Sequence, residues 1–112
     1  MTLTTESKYN LMWLMVMFDL PVTEEDERKN ATKFRNFLLD LGFEMVQFSV
    51  YFRFCGTREK TEKFIRAIRI HMPPEGSISV LFFTDKQFAN IINIQNRKIT
   101  KTHKKDDQYM LF

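Results

Sequence analysis

Seven apolar residues run without interruption from Met12 to Phe18 (MWLMVMF), and a carboxylate, Asp19, follows them directly. A run of that length with no polar face is the pattern of a strand buried on both sides. Pro21 ends it, because proline has no N–H to give to a ladder. The period then changes. Ala31, Phe34, Phe37, Leu38 and Leu41 recur at helical spacing, with Thr23 placed as N-cap, Asp26 three residues on, and Gly42 as the C-terminal stop. A first helix is therefore predicted from about Glu24 to Leu41, with Arg28 and Arg35 two turns apart beside its apolar stripe.

From Phe43 to Cys55 the period is two. Val46, Phe48, Val50, Phe52 and Phe54 alternate with Met45, Gln47, Ser49, Tyr51 and Arg53, which predicts strand, apolar on one side and mostly polar on the other. Thirteen residues are long for one strand, so a bent strand and a hairpin both stay open, with no Gly or Pro to mark a turn. Thr57 then opens a second helix. Phe64, Ile65, Ile68 and Met72 form its stripe, Arg66 and Arg69 its wet side, and Pro73-Pro74 its end. Ser77 to Thr84 reads as another buried strand, and Ala89 to Gln95 as a shorter last one. The order β-α-β(β)-α-β-β predicts an α+β fold of the ferredoxin-like kind, β-α-β-β-α-β with an extra C-terminal strand. Two helices lie on one face of a mainly antiparallel sheet.

Composition refines this reading at three points. Twelve of 112 residues are Phe, more than one small core comfortably buries, so an interface between copies is expected to take some. Net charge is only +3, but Arg97 to Lys105 holds six Lys, Arg or His and no acid, which suits an acidic partner. Cys55 is the one cysteine, which excludes an internal disulfide and favours a reducing, cytoplasmic setting. Met12 to Phe18 is too short to span a membrane. The chain divides into an N-terminal extension over residues 1–10, a folded domain over 11–98, and a basic tail over 99–112 that ends in Tyr109, Met110, Leu111 and Phe112.

The usual catalytic constellations are sparse. Gly42, Gly56 and Gly76 are isolated, so no phosphate-cradling loop exists, and His71 and His103 are not spaced as metal ligands. Ser49 has no histidine placed to activate it, and Cys55 reads as a packed small hydrophobe. Asp19 carries two readings. It bonds backbone amides in the turn from Leu20 to Glu24, or it becomes one of two carboxylates in a symmetric dimer. Two such like charges repel unless a proton or a hard cation sits between them, and carboxylate oxygens suit Mg²⁺ or Mn²⁺.

MWLMVMFDLP, LLDLGFEMVQFSVYFRFC, MPPEGSISVLFFTDKQF and the ending YMLF resemble the small CRISPR-associated adaptation protein family Cas-two, in the branch found in type II systems. The resemblance covers roughly Met12 to Lys98. It implies a homodimer, with a divalent metal (Mg²⁺ or Mn²⁺) shared by two copies of Asp19. It implies a scaffold that bridges pairs of the integrase Cas-one and holds double-stranded prespacer DNA during spacer acquisition. The alternative it implies is a metal-dependent endonuclease, on RNA or DNA, at the Asp19 pair. By that resemblance Arg28, Arg97 and Lys98 face nucleic acid, and Ser49 and Tyr51 support the Asp19 strand. Phe18, Asn30 and Met45 stand where family members often carry tyrosine, arginine and a basic residue, which removes polar groups from around Asp19 and weakens the nuclease case more than the scaffold case.

Overall fold

The structure is a computed structural model that describes residues 11–101. Strand β1 (Met12–Asp19) is followed by helix α1 (Glu25–Asp40), strands β2 (Glu44–Gln47) and β3 (Val50–Gly56), and helix α2 (Arg58–His71). Strand β4 (Ser77–Thr84), a short helix α3 (Asp85–Ala89), and strands β5 (Ile92–Gln95) and β6 (Lys98–Lys101) complete it. Four strands form one antiparallel sheet in the order β2-β3-β1-β4, the ferredoxin-like arrangement expected. No helix among the described residues is long and apolar enough to cross a membrane.

β1 runs through the centre because its apolar run has somewhere to go on both sides. Leu14, Val16 and Leu20 pack with Ala31, Phe34 and Leu38 of α1, with Ile68 of α2, and with Tyr51 and Cys55 of β3. Trp13 faces the other way and packs with Phe52 and Phe88, and half-buried Met15, Phe54 and Phe83 close the cluster. The second half of β1 is not fully buried as its composition predicts, since Met17 is 41% exposed. α3 covers only the Trp13 end of that face.

The stretch from Phe43 to Gly56 is a hairpin. Ser49 turns the chain in the left-handed region at φ 65, a conformation that favours glycine but is open to a small polar residue. The alternation also resolves against expectation. The side that reads as mostly polar is the one under the helices, where Tyr51 and Cys55 are buried. Arg53 donates from Nε to the Leu41 carbonyl at 2.7 Å and lies 4.4 Å from the Phe64 ring centre. Its charge is spent on the end of α1 rather than on water.

Both helix ends follow the sequence closely. α1 starts one residue later than its Thr23 signal, with Glu24 as N-cap and the Glu27 carboxylate accepting the Glu24 N–H at 2.9 Å. It stops at Gly42 (φ 93), whose N–H reaches the Leu39 carbonyl while that of Phe43 reaches Leu38, a Schellman ending. Thr57 caps α2 by accepting from the Lys60 N–H. The region read as one strand from Ala89 is different. Thr84 caps the turn of helix α3, and only Ile92–Gln95 is strand, paired with β6 in a separate two-stranded sheet.

Candidate functional site

Asp19 ends β1 opposite Ser77, on the side of the sheet that carries Met15 and Met17. Its strand end is fixed from both flanks. The Phe18 N–H donates to the Ser49 carbonyl at 3.1 Å, and Gly76 lets β4 approach so closely that a Cβ there would stand 2.9 Å from the Asp19 carbonyl. The Asp19 side chain is exposed. It opens onto a shallow depression lined also by Met17, Phe48, Ser49, Val50, Ser77 and Ser79.

These are hard oxygen donors among apolar walls, the donor class that suits Mg²⁺ or Mn²⁺. Among the described residues no three His, Cys, Asp or Glu side chains gather to hold a metal. One carboxylate and neighbouring serines fit half of such a site, and a second copy of Asp19 would complete it. The carboxylate also lies on the stretch of sheet that α3 leaves bare.

The other predicted site residues separate. Ser49 lines the same depression as Asp19. Tyr51 does not face it: Tyr51 pairs with Val16 on the helix side and is 1% exposed, stacked at 5.7 Å on Phe18. Burial raises the pKa of its hydroxyl, and Arg35 opposes that shift. Arg28 is exposed, but one arm of its guanidinium donates to the carbonyls of Val22 (3.2 Å) and Thr23 (2.8 Å), holding the loop between β1 and α1. Arg97 and Lys98 do not follow the last strand. Arg97 sits with Asn96 in the two-residue turn between β5 and β6, and Lys98 begins β6; both are exposed. The ending Tyr109 to Phe112 and residues 1–10 lie outside the described residues.

The sequence marks Arg35 beside the apolar stripe of α1 without assigning it to the site, and the structure singles it out. Arg35 is half-buried, lies 5.9 Å from the Phe48 ring centre, and makes no hydrogen bond or ion pair among the described residues. Phe48 itself is 82% exposed. The signal was available in the placement of Arg35 two turns beyond Arg28, on the line that leads toward the hairpin.

A family described as CRISPR associated protein Cas2 matches residues 12–91. A protein of Paracidovorax avenae named CRISPR-associated endoribonuclease Cas2 is 46% identical over 104 residues, 93% of this chain and 96% of that one. One of the same name from Flavobacterium psychrophilum is 43% identical over 109 residues, 97% and 95% of the two chains. Another from Streptococcus mutans is 36% identical over 97 residues, 87% and 89%.

Proposed function

The chain belongs to the CRISPR associated protein Cas2 family, and from that premise we propose that it acts as a homodimeric, DNA-binding scaffold of the spacer-acquisition machinery. In this reading two copies bridge pairs of the Cas-one integrase and hold double-stranded prespacer DNA. The observation that carries it is the imbalance between charge and chemistry. Each chain has exposed basic groups in its last hairpin and along its helices, yet brings a single carboxylate to the depression at Asp19. Phosphate contacts of this kind position a duplex without reading its sequence.

Dimerisation is supported by the last hairpin. Ile92, Ile94 and Ile99 share one of its faces and are 69, 70 and 75% exposed. β4 leaves one edge of the main sheet unpaired among the described strands. Arg97 is held at φ 66 where glycine would be unstrained, which keeps a guanidinium at the hairpin tip. The test reverses that charge. Arg97→Glu with Lys98→Glu is expected to reduce spacer acquisition, and to lower the dependence of log affinity for duplex DNA on log salt by about two per chain, about four for the dimer. Unchanged acquisition would refute the scaffold reading.

A second reading takes its activity from the relatives named endoribonuclease: a metal-dependent endoribonuclease acting at paired Asp19 residues. Bound Mg²⁺ would supply an activated water and charge stabilisation at a phosphate. Asp19 would hold it, with Ser49 fixing the strand end through its carbonyl. Wild type and Asp19→Asn assayed on labelled RNA with Mg²⁺ separate the readings. Cleavage lost in Asp19→Asn, with acquisition intact, assigns chemistry to Asp19 and keeps it apart from the scaffold.

A further inference from the structure

We propose that Phe48 and Arg35 form a seat for one unpaired nucleotide at the rim of the Asp19 depression, the base stacked on the Phe48 ring and its phosphate on Arg35. This deepens the nucleic-acid reading above and rests on it. A phenylalanine at the tip of a tight hairpin, 82% exposed, gains nothing from the core. Stability gives no reason for it there, because the hairpin turns through Ser49 and a polar residue would serve the same turn. The ring is backed by a cation: the Arg35 guanidinium lies 5.9 Å from its centre and keeps its N–H donors without acceptors among the described residues.

That pairing matches the chemistry of a nucleotide whose base is out of a duplex. A base needs a flat π-face, and its phosphate needs a fork of donors such as a guanidinium provides. A paired base offers neither face, so the seat selects unpaired nucleotides over duplex. Met17, Val50 and the Asp19 carboxylate line the same depression as Phe48, so a nucleotide seated here lies beside Asp19. Arg28, by contrast, has one arm of its guanidinium engaged by two carbonyls.

The probe is an oligonucleotide carrying one 2-aminopurine, used as single-stranded RNA, single-stranded DNA and a fully paired DNA duplex, with the full chain. Wild type is expected to quench 2-aminopurine in the single strands but not in the duplex. Phe48→Leu should abolish the quench and weaken single-strand binding roughly 5- to 150-fold, the range for loss of one stacked base. Phe48→Trp should restore both. Arg35→Gln should weaken binding and lower the salt slope by about one. The RNA and DNA arms show which strand the seat prefers. If wild type binds nucleic acid without quenching, or Phe48→Leu binds single strands as wild type does, the seat is refuted while the scaffold reading stands. If wild type binds none of the three probes, the scaffold reading itself fails. Sedimentation of Phe48→Leu completes the test: conversion to monomer would assign Phe48 to the contact between copies and overturn the seat.

Discussion

At Gly76 the backbone stands at φ 107, and a Cβ there would meet the Leu20 side chain at 2.7 Å and the Asp19 carbonyl at 2.9 Å. Gly76→Ala therefore forces a left-handed conformation and a clash with backbone at once. A loss of about 1–3 kcal/mol is expected, read from urea unfolding midpoints. The sequence shows Gly76 only as an isolated glycine, because its partners Asp19 and Leu20 are distant in the chain and meet it through the β1–β4 register alone. Asp19, in contrast, is legible as a charge closing an apolar run. Cys55 also behaves as its composition implies. Burial pushes its thiol up to about 11 from 9.0, against the opposing influence of Arg53. The folded protein thus favours the protonated thiol, so this contribution to stability is complete below pH 9 and is lost as pH rises from 9 to 11. Cys55→Val is expected to flatten the fall in unfolding free energy between pH 8 and 11 by roughly 2 kcal/mol, and an unchanged slope would reject the assignment.

Helix α3 shows how an element escapes a sequence pattern. Five residues are too few to display a helical period, and Phe88 within an otherwise mixed stretch gives no face. Its position is set by tertiary contacts instead. Phe88 stacks on Trp13 with ring centres 3.8 Å apart, Trp13 Nε1 donates to the Asp85 carboxylate at 2.7 Å, and the Asp85 N–H donates to the Leu11 carbonyl at 2.9 Å. Phe88→Ala is expected to cost about 3–5 kcal/mol, because it opens a cavity between α3 and the sheet. Chemical denaturation should show the loss, and near-ultraviolet dichroism should report the freed Trp13. The hairpin of β2 and β3 was legible as strand but not as a turn, since Ser49 adopts φ 65 without the glycine that usually announces it. Its facing was misleading for a related reason. Tyr51 and Arg53 look polar in sequence, yet Tyr51 is apolar over most of its surface and Arg53 finds a carbonyl at the end of α1. Long, periodic α1 and α2 were legible nearly to the residue.

For the molecule as a whole, the hairpin of β5 and β6 poses the largest energetic question. It is a two-stranded sheet joined to neither edge of the main one, and such a hairpin alone is marginal in water. The face with Ile92, Ile94 and Ile99 offers what a partner surface would bury, and the isoleucines flank a turn that carries Arg97, with Lys98 opening the strand after it. In the proposed dimer a second copy would satisfy both needs. It would cover the isoleucines and double the number of basic groups available to a nucleic-acid backbone without any change in the chain. Ile94→Lys with Ile99→Lys places two charges opposite one another on that face, a pair that repels and that resists burial. The expected result is a shift from dimer to monomer in sedimentation equilibrium, with far-ultraviolet dichroism retained because the main sheet and its helices keep their own cores. Duplex affinity should fall with it, and the salt dependence of binding should become about half as steep, since each monomer then neutralises half the phosphates. A double variant that still sediments as a dimer would move the interface away from this hairpin and onto the bare end of the sheet around Met17.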